Sequence, residues 1–172
     1  MKIKKAFIFI SIFIIAILIF FHFTNENFFD YDEVEHYKKN VTHEELSEIY
    51  NQVAKSGKKS IFLDIVENDY PKNVDENFEK SLINNGFKKT ILNKSKYEEI
   101  NNIFSEQNCL INSASACIPI YRDILIFKKN KKTIGVAKIC FDCQMFYIIG
   151  TQKNVQDFGA NGNFEKLEPL LK

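Results

Sequence analysis

Residues 120–143 read IYRDILIFKKNKKTIGVAKICFDC, and this stretch decides the fold. Two apolar runs, residues 120–127 and 133–140, lie on either side of a lysine-rich segment around Asn130. Two such runs joined by a short polar turn predict a β-hairpin. A three-residue turn centred on Asn130 places Cys117 opposite Cys143, because each lies 13 positions from Asn130, and a two-residue turn shifts the pairs by one position. Either register brings Cys117 to the end of the sheet that carries the Cys-x-x-Cys segment.

Helix and strand patterns lie on both sides of this hairpin. Helices are predicted where apolar positions at helical spacing coincide with capping residues or a terminal glycine, at residues 42–57, 74–85, 95–104 and 164–171. Thr42 and Glu45 form a capping box at the start of the first helix, and Ser95 and Glu98 repeat that pattern at the start of the third. Short apolar runs between turn residues predict further strands at residues 60–66, 87–92 and 145–149.

The order of these elements predicts the fold class. Helices and single strands come first and a run of antiparallel strands comes last, an order typical of α+β domains. We expect one mixed, mostly antiparallel sheet with helices packed on it, preceded by an N-terminal transmembrane helix. The parallel part of the sheet would come from residues 60–66 and 87–92, because a helix connects these two predicted strands.

The N-terminus predicts a membrane anchor. Three lysines precede an apolar run over residues 6–21 that only Ser11 interrupts, and no further charge occurs before Glu26. As a helix, residues 6–23 cover roughly 27 Å, near the hydrocarbon thickness of a bilayer. The run ends in Ile-Phe-Phe-His-Phe, whereas signal peptidase needs small residues, so an uncleaved signal anchor is favoured over a cleaved signal peptide.

The charge distribution orients this anchor. Lysines before the span place residues 1–5 in the cytoplasm and the rest outside, in the periplasm or the exterior. Residues 24–40 are then predicted to be a tether and residues 41–172 an extracytoplasmic domain, which would be secreted if the signal were cleaved. Without the three N-terminal lysines, 20 basic residues oppose 22 acidic ones. No basic patch with interleaved aromatic residues occurs, so nucleic-acid binding is not predicted.

The chain has four cysteines, all in its last third: Cys109, Cys117, Cys140 and Cys143. An even number of cysteines outside the cytoplasm favours disulfides. If residues 139–143 were a straight strand, Cys140 and Cys143 would face opposite sides about 10 Å apart along it. Because a disulfide needs α-carbons within roughly 7 Å, either the chain turns at Phe141-Asp142 or the two cysteines pair with others.

Three interpretations of the cysteines stay open. All four are candidates for structural disulfides. A thiol–disulfide redox site would use Cys140 and Cys143 as its catalytic pair, although no helix N-terminus is predicted there to stabilise a thiolate. A zinc site would use Cys109, Cys117, Cys140 and Cys143 as ligands, although an oxidising compartment disfavours four free thiolates.

Residues 117–143, CIPIYRDILIFKKNKKTIGVAKICFDC, resemble the C-terminal region of small bacterial cell-envelope proteins of unknown function. In those proteins a Cys-x-Pro segment leads into a hairpin that ends in Ile-Cys-Phe-x-Cys. The matching residues are Cys117, Pro119, Cys140, Phe141 and Cys143. The resemblance implies an envelope location and supplies no activity, and Cys109 lies outside it.

Other candidate residues give weaker signals. Arg122, the only arginine, could bind a carboxylate or phosphate bidentately, although an ion pair is the simpler interpretation. His36 and His43 lie near acidic residues without a recognisable set of metal ligands. No nucleophile–base motif, phosphate-binding loop or zinc-protease helix occurs, and no cofactor is predicted.

These patterns predict a non-enzymatic, membrane-anchored envelope protein. Residues 6–23 would insert in the lipid bilayer, and the disulfide-stabilised domain would bind a protein partner in the envelope. The alternative function is that of an extracytoplasmic thiol–disulfide oxidoreductase that uses Cys140 and Cys143.

Overall fold

The structure, a computed structural model, describes residues 27–106 and 117–172. The predicted anchor over residues 6–23 and the predicted disulfide candidate Cys109 lie outside these residues. Within the described ranges, no helix is long and apolar enough to cross a bilayer. The strands are β1 (Glu33–Lys38), β2 (Lys88–Ile91), β3 (Asp123–Lys129), β4 (Lys132–Cys140) and β5 (Met145–Ile149). The helices are α1 (His43–Ser56), α2 (Ile61–Glu67), α3 (Asn77–Asn84), α4 (Tyr97–Ile103) and α5 (Asn163–Leu170).

The five strands form one sheet in the order β2-β1-β3-β4-β5, and every neighbouring pair is antiparallel. The predicted α+β class is therefore confirmed, whereas the predicted parallel pairing within a mixed sheet is wrong. Strand β3 is the central strand of the sheet, and β4 lies between β3 and β5. The predicted hairpin therefore forms the middle of the sheet.

The hairpin has the shorter of the two predicted turns. Asn130 and Lys131 alone connect Lys129 to its partner Lys132, and both turn residues have positive φ, 50° and 65°. Two-residue turns with positive φ at both positions match the twist of the flanking strands. The register shifts between Lys128 and Phe127. Farther from the turn, the pairing continues without interruption to Asp123 and Ile139.

Helices cover both faces of the sheet. In β3 the alternating side chains Ile124 and Ile126 face one hydrophobic core and Leu125 and Phe127 face another, and all four are fully buried. The first core also contains apolar residues of α1, α2 and α3, and the second contains residues of α4 and α5. A strand buried on both faces reads as a continuous apolar run, which is what this part of the sequence shows.

The predicted strand at residues 60–66 is instead helix α2. The Ser60 hydroxyl accepts a hydrogen bond from the amide of Leu63 at 3.5 Å and so caps the helix. Four of the seven helical residues are buried, and Ile61, Asp64 and Glu67 form the less buried face. Because Ile61 on that face is apolar, the sequence does not reveal the helical period. A short, continuously apolar segment does not distinguish a buried strand from a buried helix by periodicity.

The predicted tether over residues 24–40 is also wrong in its second half. Strand β1 lies between β2 and β3, and its residues Val34 and Tyr37 are almost completely buried. The charged residues that concealed this strand are themselves buried with partners. Lys128 binds Glu35, and Asp123 binds His36, at 2.7 and 2.8 Å.

The predicted helix starts have different outcomes. Thr42 accepts a hydrogen bond from the amide of Glu45 at 3.2 Å, as predicted for α1. The predicted capping box at Ser95 is wrong, because Asn93 accepts a hydrogen bond from the Ser95 amide at 2.9 Å. That bond begins a short 3₁₀ turn, and α4 follows it.

Candidate functional site

Four of the sequence candidates lie at one end of the sheet, where β4 ends and β5 begins: Cys117, Arg122, Cys140 and Cys143. Cys117 and Cys143 form a disulfide, with their α-carbons 6.0 Å apart. The sequence predicted that the hairpin brings Cys117 to the end of the sheet that carries the Cys-x-x-Cys segment, and Cys117 lies there. Neither bonded cysteine belongs to the ladder, because Cys117 precedes β3 and Cys143 follows β4. Cys140 is a buried free thiol.

The segment that we call the CFDC turn, residues 140–143, reverses the chain, and Cys143 pairs with Cys117, so the two alternatives that the sequence left open occur together. Cys140 is the last residue of β4 and pairs with Met145, the first residue of β5. The amide of Gln144 donates to the carbonyl of Phe141 at 3.3 Å, and Gln144 has a positive φ of 49°. Cys143 therefore lies in the connection between two strands.

Arg122 holds the CFDC turn from the neighbouring chain segment. Its Nη1 atom lies 2.5 Å from Oδ2 of Asp142, and its Nε donates to the carbonyl of Val41 at 3.0 Å. The guanidinium thus links the start of β3, the entry to α1 and the turn between the cysteines. The carboxylate that Arg122 binds belongs to the same chain, as the ion-pair interpretation predicted.

A lysine that the sequence analysis did not single out lies beside this turn. Lys138 of β4 is completely buried, and its ammonium donates to the carbonyls of Asn68 and Tyr70 at 2.5 and 3.1 Å. Its Nζ also lies 4.4 Å from the ring centroid of Tyr121 and 5.5 Å from that of Tyr147. Burial lowers the pKa of this amine to about 7, although nearby carboxylates oppose the shift.

An open cleft of about 620 Å³ lies over this region, and we call it the cysteine-end cleft. It is lined by Asp64, Glu67, Asn68, Asp69, Tyr70, Lys72, Pro119, Tyr121 and Met145. One wall is formed by Pro119 and Tyr121, in the segment after Cys117. Another is formed by α2 and the residues that come directly after it. Burial raises the pKa of the Tyr121 hydroxyl to about 12, so this group stays protonated in the cleft. A separate cavity of about 330 Å³ lies between α4 and α5, away from the cysteines.

A buried polar network between β1, β3 and α3 also escaped sequence analysis. The Glu35 carboxylate accepts hydrogen bonds from Lys128, Lys89 and Tyr37 at 2.7, 2.5 and 2.8 Å. Lys128 also contacts Glu79 of α3 at 2.7 Å. Burial raises the pKa of the Glu35 carboxyl, but these hydrogen bonds outweigh burial and hold that pKa below its usual range. The sequence carries no period-two signal for this strand, because each face of residues 34–37 has one apolar and one polar side chain: Val34 with His36, and Tyr37 with Glu35.

The geometry bears on the predicted metal sites as well. Within residues 27–106 and 117–172, no group of three or more His, Cys, Asp or Glu side chains is arranged to hold a metal ion. The zinc interpretation needs thiolates from Cys117 and Cys143, and these two sulfurs are bonded to each other. His36 is buried against Asp123, and His43 is exposed at the start of α1.

Comparison with protein-family models, with curated proteins and with solved structures finds no match to this chain. The resemblance to small envelope proteins stays a prediction from residues 117–143. The function is therefore argued from the site and the sequence.

Proposed function

We propose that this chain is a membrane-anchored bacterial envelope protein whose α+β domain lies outside the cytoplasm and binds a protein partner. The observation that carries the proposal is the disulfide between Cys117 and Cys143. Disulfides persist in oxidising compartments and are rare in the cytosol, so the bond supports an extracytoplasmic domain. The lysines and the apolar run over residues 6–23 support the anchor and its orientation.

We assign the partner to the cysteine-end cleft because its walls are held in place. The disulfide and the contact between Arg122 and Asp142 hold the turn beside it, and Lys138 holds the carbonyls on its other side. Binding sites are concave and largely preformed, since a fixed surface loses little entropy when a partner binds. The cleft combines this rigidity with an open shape.

Site-specific photo-crosslinking in native membranes tests the partner. A photoreactive residue placed at Asp69 or Lys72, both on the cleft, should crosslink the full-length protein to the same second protein. The matched control is Lys131, an exposed residue of the hairpin turn at the opposite end of β4. The binding proposal fails if the two cleft positions give no common product, or if Lys131 gives that product equally well.

Membrane fractionation tests the location independently. The chain should be found in the membrane fraction with an intact N-terminal peptide, and external protease should digest residues 41–172 in intact spheroplasts. A mature chain that begins near Thr24 would contradict the anchor. A domain that external protease cannot reach would contradict the extracytoplasmic location.

The competing function, a thiol–disulfide oxidoreductase, requires a bond between Cys140 and Cys143 during its cycle. In the structure Cys143 is bonded to Cys117, and Cys140 is buried. A dithiol-oxidation assay with the wild type and Cys140→Ser separates the hypotheses. Equal, negligible activity supports the binding role, whereas activity that Cys140→Ser abolishes supports the enzyme.

A further inference from the structure

The side chain of Lys138 joins the sheet to one wall of the cysteine-end cleft. Its Nζ donates to two carbonyls, those of Asn68 and Tyr70, which belong to the connection between α2 and α3. We call residues 68–72 of that connection the 68–72 segment. Four of its five residues line the cleft, so a displacement of this segment would widen the cleft.

The surroundings of the Lys138 amine match its neutral form better than its charged form. A neutral amine has two N–H donors, and the carbonyls of Asn68 and Tyr70 accept both. An ammonium has a third N–H and a full charge, and the side chain is completely buried. In the part of the chain that the structure describes, Lys138 forms no ion pair with a carboxylate.

The energetic consequence follows from burial without an ionic partner. A buried charge costs several kcal/mol unless a counter-charge and further hydrogen bonds compensate it. The face of the Tyr121 ring supplies part of that compensation through a cation–π contact. Opening of the 68–72 segment would let water solvate the ammonium fully. The hydration free energy that a neutral amine gains from the same opening is much smaller.

We propose that Lys138 is a protonation-operated switch of the cysteine-end cleft. The neutral amine holds the 68–72 segment on the sheet and keeps the cleft narrow. Protonation favours release of that segment and widens the cleft. The inference rests on the proposed function only in one respect, which is that a partner binds in the cleft. The movement of the 68–72 segment can be measured without any partner.

The charged and titratable groups around the amine come from every element packed against it. They are Asp64 of α2, Asp69 and Lys72 of the 68–72 segment, Tyr121 before β3, Cys140 of β4 and Tyr147 of β5. The two aspartates favour the ammonium and Lys72 disfavours it, while burial dominates and lowers the pKa of the amine to about 7. Tyr147 also donates to the carbonyl of Pro71 at 2.9 Å and supports the closed position.

The sign of the pH effect follows from the two pKa values of the amine. A solvated lysine has a pKa of about 10.4, whereas the pKa in the closed state is about 7. Between these values the open state binds more protons than the closed state does. The opening equilibrium constant should therefore rise up to tenfold for each unit by which the pH falls from about 10 to about 7. Below about 7 it should change no further.

Pulsed hydrogen exchange of the full chain, read by mass spectrometry and corrected for the intrinsic rate at each pH, tests the switch. Peptides that contain the 68–72 segment should lose protection in the wild type as the pH falls from 9.5 to 7.5, by roughly tenfold per unit. Lys138→Met keeps an unbranched apolar stem without the charge and should show no such dependence. The matched control Lys132→Met, at the exposed start of the same strand, should behave as the wild type does.

Direct titration of the wild type keeps the test valid if Lys138→Met does not fold. The ¹³Cε shift of Lys138 should titrate with a midpoint above about 7, the pKa of the closed state, and clearly below the pKa of about 10.4 that a solvated lysine has. A midpoint near 10, or protection of the 68–72 segment that does not change with pH, would overturn the switch. Crosslinking from the cleft is a separate measurement, so its failure would remove the binding role and leave the switch standing.

Discussion

The bond between Cys117 and Cys143 closes a loop that contains the whole hairpin of β3 and β4. The two residues are 26 positions apart. In the chain-entropy model such a cross-link stabilises the folded state by about 3.5 kcal/mol, because it restricts the unfolded chain. We expect Cys117→Ser/Cys143→Ser to lose about this amount in urea unfolding at pH 7, and the wild type to lose the same amount when reductant is added.

Cys140→Ser is the control for this prediction, since Cys140 carries no disulfide in the structure. Its stability should still fall when reductant is added, by the same amount as in the wild type. If reductant has no effect on Cys140→Ser, the stabilising bond involves Cys140 and the pairing in the structure is wrong.

Glu35 is the residue whose charge the core depends on most. Its carboxylate is only 1% exposed and accepts hydrogen bonds from Lys128, Lys89 and Tyr37. Glu35→Gln removes that charge and leaves the buried Lys128 ammonium with Glu79 alone, so we expect a loss of about 3 kcal/mol in urea unfolding. Glu99→Gln, at an exposed position of α4, should leave the unfolding midpoint unchanged.

The same carboxylate should give the protein acid sensitivity. The pKa of Glu35 is lowered in the folded state, so its contribution to stability is complete above the unfolded pKa of about 4.3. That contribution is lost as the pH falls through the lower folded pKa. We therefore expect the unfolding free energy of the wild type to fall more steeply below pH 4.3 than that of Glu35→Gln. Parallel curves for the two proteins would show that Glu35 is not ionised in the core.

At the scale of elements, the start of α4 separates two capping hypotheses. The sequence pattern places the cap at Ser95, whereas in the structure the Asn93 side chain accepts the Ser95 amide. Loss of a capping side chain costs about 1 kcal/mol. We expect Asn93→Ala to lower the unfolding free energy by about that amount and Ser95→Ala to leave it nearly unchanged. The opposite ranking would restore the capping box.

Local patterns were sufficient for the elements whose signals lie within a few residues. The hairpin at Asn130 and the Thr42 cap each follow from neighbouring residues, and the structure contains both. The prediction for residues 60–66 is wrong because the less buried face of α2 carries the apolar Ile61, which hides the helical period. Whether such a run is helix or strand depends on tertiary packing, which no local pattern contains.

Sequence analysis missed strand β1 and the Lys138 site for a related reason. Both depend on contacts with residues that are distant in the chain. Glu35 reads as a surface residue until Lys128, 93 positions later, is placed beside it. Lys138 is one of many lysines, and only the 68–72 segment folded over it makes it a buried amine. Cys117 was easier to place because a hairpin returns the chain to the end at which it began, whatever the exact register.

At the scale of the whole molecule, the pairing of the strands shows that the folded domain begins before residue 41. Strand β1 bonds to β2 on one side and to β3 on the other, so the sheet is divided without it. Phe29 adds to this N-terminal contribution. Its ring stacks on Phe127 at 4.3 Å and lies against Gly135, where any side chain would collide with it. Residues 28–37 therefore contribute to both cores.

A comparison of two fragments tests this boundary. Residues 41–172, the domain that the sequence predicts, lack β1 and the ring of Phe29, and should show no cooperative urea transition and broad amide resonances. Residues 27–172 keep both and should unfold in one sharp transition. Deletion of β1 exposes an edge of β2 and of β3 and leaves Lys128 without Glu35. The free energy lost in this way exceeds the few kcal/mol by which a small domain is stable. A sharp transition of residues 41–172 at the urea concentration of the longer fragment would mean that β1 is an addition to a complete core, and the tether would then extend to residue 40 after all.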